Sequence, residues 1–194
     1  MLLKEVIPMN SLRKMLLCSL LVLITSCATT EHLQFQNQEF IKEVLLSQIP
    51  NSDYHGDWYH AYSQEVKGKY SIDEFVPKGQ TVENWTRLFT NQNFPRNYYS
   101  PSSPEIMMNG LKTLMEKRCH GVEWKIIQKS ENDVLYEYRI VNCPGNPDQH
   151  EIARIIFGKW NIWRLAYTEK VATLPEETRT KWVKYLSEPK VFQQ

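Results

Sequence analysis

Asp53, His55 and Asp57 alternate along the chain, with His60 three positions further on. An extended backbone turns the first three side chains to one face, and carboxylates grouped with imidazoles are the donors of a zinc-type centre that activates water. A metal-dependent hydrolase is therefore one reading of this stretch; a solvated loop ahead of a strand, which needs no metal, is the other. Cys119 stands beside His120, where a reactive thiolate is conceivable, but neighbours on an extended strand point to opposite faces and pair poorly. Tyr98 and Tyr99 lie in the Pro- and Ser-rich stretch from Pro95 to Pro104. Adjacent tyrosines there form either a recognition surface for a partner or the cover of a sheet edge. HExxH, G-x-S-x-G, CxxC and Gly-rich phosphate-loop motifs do not occur in the sequence. The expectation is binding rather than catalysis, with no cofactor and no resident metal.

The strongest positional signal lies at the start of the chain. Lys4, Arg13 and Lys14 precede an apolar run from Met15 to Ile24, and small polar Thr25 and Ser26 lead into Cys27, the order of regions in an export signal. The run has only about half of the roughly 20 apolar residues that a spanning helix needs. Ile24-Thr25-Ser26-Cys27 resembles the lipobox of bacterial lipoproteins. The resemblance implies diacylation of the Cys27 thiol, cleavage before it and acylation of the new amino terminus. More than one acyl chain on a single residue makes a durable membrane anchor. Ala28, where Asp is associated with retention in the inner membrane, implies the outer membrane, facing the periplasm. The expected organisation is a signal peptide over 1–26, a lipidated tether over 27–34 and a single folded domain over 35–190.

Removing 26 of the 194 residues leaves 168, the length of one domain. The leader holds three basic residues and one acid, Glu5, so the mature chain keeps 20 basic and 21 acidic residues of the 23 and 22 in the whole. That balance argues against a nucleic-acid binder, which would show a basic stripe, and leaves the membrane, through the anchor, and an envelope protein as expected partners. Cys18 leaves with the leader and Cys27 takes lipid, so Cys119 and Cys143 remain. In an oxidising compartment such a pair reads as a disulfide.

The stretch Phe75–Phe94 carries a second resemblance. Glu74, Phe75, Val76, Pro77, Gly79, Thr81, Trp85 and Thr86, followed by Cys119, Cys143, Pro144, Asn146 and Pro147 and closing with Trp182, Tyr185 and Leu186, are similar to an uncharacterised family of bacterial envelope proteins. Its pattern is an E-[FY]-V-P-x-G-x-[ST]-x-x-x-W-[ST] segment, two cysteines, a hairpin and a final helix. The resemblance implies an envelope location and the Cys119–Cys143 pairing, and no activity. The present chain departs from it in its added amino-terminal helix, its acyl anchor and the lack of a further cysteine near the end.

Around these residues the periodicities predict a scaffold. Phe40, Ile41, Val44, Leu45 and Ile49 have helical spacing that Pro50 stops. Strands are expected over Trp58–Val66 and Lys69–Val76 about Gly68, then over Trp85–Gln92. Ser103-Pro104-Glu105 reads as a helix start running to Arg118. Two hairpins follow, Val122–Gln128 with Val134–Asn142 and Ile152–Phe157 with Trp160–Thr168, and Pro175 opens a last helix with Trp182, Tyr185 and Leu186 facing inward. The order gives an α+β fold, an antiparallel sheet of about six or seven strands covered by helices. Its element order resembles the Mog1/PsbP-like sandwich, with a curved cystatin- or NTF2-like sheet as the alternative; a carrier of a small apolar ligand between helix and sheet is a further functional reading. Thiol titration of unreduced, denatured protein should find neither Cys119 nor Cys143 free; two titratable thiols there would refute the pairing.

Overall fold

The computed structural model describes residues 58–187. They form one antiparallel sheet in the order β1-β2-β3-β7-β6-β5-β4. Its strands are β1 (Trp58–Val66), β2 (Tyr70–Pro77), β3 (Arg87–Pro95), β4 (Glu123–Lys129), β5 (Asp133–Ile140), β6 (Gln149–Phe157) and β7 (Asn161–Glu169). Two helices are described, α1 (Pro104–Arg118) and α2 (Glu176–Ser187). The architecture is the expected α+β one. The helix expected between Gln34 and Ile49 lies outside the described residues, as do Cys27, Asp53, His55 and Asp57.

Local chemistry sets the boundaries. Gly68 takes φ 71°, a left-handed value that costs a residue with a Cβ, and Lys69 N–H closes the turn on the Val66 carbonyl at 2.8 Å. Ser103 caps α1 by accepting the Ile106 N–H at 3.2 Å, Pro104 occupies the first turn, and Lys117 and Arg118 sit at its negative end. Cys119, at the end of α1, and Cys143, after β5, stand with Cα atoms 5.2 Å apart in disulfide geometry, tying the helix to the turn that leaves β5. A bridge over 24 residues contributes roughly 3 kcal/mol by restricting the unfolded chain.

The two faces of the sheet are covered differently. On one, cross-strand partners Phe75, Phe89, Tyr167 and Ile152 form a row through four strands, and α2 lays Trp182 on it. The indole stacks on Tyr167 at 3.9 Å and on Phe89 at 5.7 Å, and meets Trp58 edge-on at 6.4 Å. This aromatic stack joins α2 to the sheet. On the opposite face α1 packs over β5 and β6, its Glu105 pairing with Lys129 at 3.1 Å.

Under that face lies a buried ionic network. The Arg164 guanidinium pairs with Glu151 and donates to the Tyr136 hydroxyl at 3.1 Å and to the Gln92 carbonyl oxygen at 3.1 Å. The other Glu151 oxygen accepts from Tyr138 and Thr168, each at 3.0 Å. Burial opposes the Arg164 charge, but Glu151 together with the Tyr136 and Tyr138 phenols more than offsets it and holds the guanidinium above its ordinary pKa. Burial also pushes the Tyr136 phenol up to about 12 and Tyr138 well above its ordinary value. Arg164→Met should cost about 3–5 kcal/mol because it strands a buried carboxylate. Adding Glu151→Gln should recover part of that loss in urea unfolding; a double variant whose loss equals the sum of the two single losses would show that the pair is not coupled.

Candidate functional site

Polar side chains converge at the end of the sheet where β3, β4 and β6 begin and β5 and β7 finish. Successive cross-strand partners Arg87, Glu169, His150, Arg139 and Glu123 run through five strands on the α2 side, alternating in sign about a histidine. Opposite charges directly across a sheet stabilise it by a few tenths of a kcal/mol per pair, about 0.2–1. Arg139 also pairs with Glu123 and donates to the Thr173 hydroxyl at 2.8 Å, pinning the connector from β7 to α2.

His150 is the least expected member. A strand beginning at Ile152 would leave it in a loop, yet β6 starts at Gln149 and His150 is only 3 % exposed. Its Nδ1 accepts the Leu174 backbone N–H at 2.9 Å, so the neutral ring carries its proton on Nε2. That nitrogen lies 3.5 Å from Glu137 Oε2 and makes no hydrogen bond. Glu137 is held instead by Arg179 of α2, whose Nε and a terminal nitrogen donate at 2.7 and 3.0 Å, with Lys125 at 3.6 Å. Burial alone would raise the Glu137 pKa; the Arg179 hydrogen bonds and charge overcome it and lower it. For His150 burial lowers the pKa, and the attraction of Glu137 does not reverse it against Arg139 and Arg179. A carboxylate already engaged by Arg179 and an imidazole already engaged by Leu174 are a structural joint between β5, β6 and α2.

Beside this joint opens a cleft of about 280 Å³, lined by Arg87, Tyr167, Glu169, Glu177, Thr178, Lys181 and Trp182. The Tyr167 hydroxyl donates to Glu169 on its floor, and burial first, then that carboxylate, raises the phenol pKa. Arg87 stands over the Trp58 ring at 5.6 Å. Both signs of charge and two aromatic rings line the opening, an arrangement suited to a polar side chain or backbone from a partner.

Among the described residues, those singled out by sequence lie at different places around the sheet. His60 lies in β1, its Nε2 2.9 Å from Asp73 and its ring 4.9 Å from Phe75; no metal-holding group of three or more His, Cys, Asp or Glu occurs among the described residues. Cys119 and Cys143 come together. Tyr98 and Tyr99 lie at the other end of the sheet, in the turn after β3. Tyr99 leans on Phe94 at 5.7 Å and is half-buried, whereas Tyr98 is 45 % exposed beneath the Lys69 ammonium. His150, Glu137 and the cleft residues were not anticipated; the signal for them was the charge alternation at strand ends, visible only once the register is known.

No family model and no curated protein matches the chain. Among solved structures, the human StarD13 (DLC2) lipid transfer and protein localization domain aligns at 8% identity with 82% of this chain and 100% of that one, at a TM-score of 0.26. A likeness at that level carries no conclusion about this chain.

Lowered pKa values at His150 and Glu137 fix the sign of a pH effect. The unfolded chain binds more protons below each ordinary value, so stability should fall as pH drops below 6.5 through His150, and again below 4.5 through Glu137. Urea unfolding at pH 7.5 and 5.5 should show the first loss in the wild type and a smaller one in His150→Gln. Equal losses in both would remove His150 as the cause.

Proposed function

We propose that the chain is a lipid-anchored protein of the bacterial envelope, attached through Cys27 to the outer membrane and facing the periplasm. Its folded part is a non-catalytic binding domain whose partner is another envelope protein. The observation that carries the binding role is the cleft at the head of α2, where Arg87, Lys181, Glu169 and Glu177 surround an opening floored by Tyr167 and Trp182. Mixed charge at a rigid rim gives specificity and register to protein contacts more than raw affinity. The rim is rigid because Trp182 is locked in the aromatic stack beneath it and Arg179 clamps the same helix to Glu137.

The leader supplies the anchoring half of the proposal. Lys4, Arg13 and Lys14, the apolar run and Cys27 have the order that acyl attachment requires, and the Cys119–Cys143 geometry suits an oxidising compartment. Mass spectrometry of the natively expressed protein should find an acylated amino-terminal Cys27. A photo-crosslinker at Thr178 in intact cells should trap a discrete protein, and Arg87→Glu with Lys181→Glu should reduce the adduct about tenfold or more, the effect of losing roughly 1.4 kcal/mol or more of contact energy. An unmodified Cys27 would overturn the anchor; an adduct indifferent to both reversals would overturn the cleft as the binding surface.

A further inference from the structure

The end of the sheet opposite the cleft carries a different surface. Three turns meet there: 67–69 between β1 and β2, 95–99 after β3, and 158–160 between β6 and β7. The Lys69 ammonium lies over the Tyr98 ring at 5.7 Å, joining the first turn to the second. Arg96 N–H donates to the Trp160 carbonyl at 2.9 Å, and its guanidinium donates to the Gly158 carbonyl at 3.1 Å, joining the second to the third. Trp160 is 71 % exposed, with the Lys159 ammonium 4.8 Å from its ring. Lys67 is exposed on the first turn.

The tip therefore presents Lys67, Lys69, Arg96 and Lys159 around Trp160 and Tyr98. The carboxylates at this end are Glu65, Glu105, Glu131 and Asp133; Glu105 is paired with Lys129 at 3.1 Å and Asp133 with Arg154 at 3.2 Å, so neither offsets the four cations of the turns. In a mature chain whose total charge is balanced, this is a local cationic excess. Tryptophan and tyrosine with polar edges, flanked by lysine and arginine, match the chemistry of a bilayer interface, where rings settle among headgroups and ammonium groups meet phosphates. The aromatic side chains stand on turns, so a flat charged surface can reach them without a complementary groove.

We infer that this tip docks on the anionic phospholipid headgroups of the bilayer that holds the anchor. The inference rests on the anchoring proposed above and adds an orientation to it: tip against the membrane, cleft away from it. Chain length permits this. Cys27 and Trp58 are 31 residues apart in the sequence; with the helix expected over 34–49 left out, the rest extends to about 50 Å, whereas a strand of nine residues spans about 30 Å.

The test uses the natively acylated full protein in vesicles of phosphatidylethanolamine with and without phosphatidylglycerol, carrying brominated acyl chains as quenchers. Flotation reports the anchor; the difference in fluorescence quenching between wild type and Trp160→Phe reports the tip. A clear difference is expected with phosphatidylglycerol, a smaller one without it, and its loss at high salt. Lys69→Glu with Lys159→Glu should weaken docking by at least about fivefold for each cation removed. Trp160 is exposed, so its replacement leaves folding intact and the comparison valid. Protein that floats while Trp160→Phe and wild type are quenched alike would overturn the inference and spare the anchor. Protein that fails to float would overturn the anchor instead. Crosslinks from position 160 to a protein in cells, with no quenching in pure lipid, would assign the tip to a protein partner and overturn the membrane reading.

Discussion

The buried Arg164–Glu151 pair constrains everything around it. Removing two charges from water costs several kcal/mol per ion even after relaxation, so the pair persists because each guanidinium nitrogen and both carboxylate oxygens have a hydrogen-bond partner. Gln92 reaches it from β3, Tyr136 and Tyr138 from β5, and Thr168 from its own strand. A slip of β7 by one residue would send Arg164 to the α2 side and strand Glu151 in an apolar layer. The network thus works as a register lock across four strands, and the order of the sheet fixes where the charged belt and the tip fall.

Both ends of the molecule inherit their chemistry from that register. Because β6 is aligned with β7 and β5, His150 falls between Glu169 and Arg139 and directly under the connector to α2. The same alignment places Phe157 and Ile162 as the last pair before the 158–160 turn, which leaves Trp160 at its apex. Alternation within the strands serves the core, while the residues that leave the sheet are freer of packing demands.

Much of this scaffold was legible in the sequence. Gly68 and Ser103-Pro104-Glu105 marked a turn and a helix start because their local chemistry acts regardless of tertiary context. Alternation in Val134–Ile140 and Trp163–Tyr167 gave strands, but it misled about burial. Glu137 and Arg164 occupy what reads as the solvent face, and both are buried because α1 and α2 cover opposite sides of the same sheet. Trp85, expected inside the third strand, precedes it: β3 begins at Arg87, and Trp85 is buried with Val76 and Leu88 from a loop. A single-sequence period registers side-chain direction, not what lies above it. The cleft was invisible for the same reason, since Arg87, Glu169 and Lys181 come from three separated elements.

The placement of His150 shows why its burial favours structure over catalysis. A general base needs an open nitrogen within reach of the proton it takes, and Nδ1 already accepts from Leu174 while Nε2 faces Glu137 inside the protein. Protonating Nδ1 would set its N–H against the Leu174 N–H and force the connector away from β6. The neutral ring is thus the form compatible with α2 docking, and α2 carries Trp182 and one wall of the cleft. What resembles an acid–base dyad in composition holds the connector and the head of α2 in place, and with them one wall of the cleft.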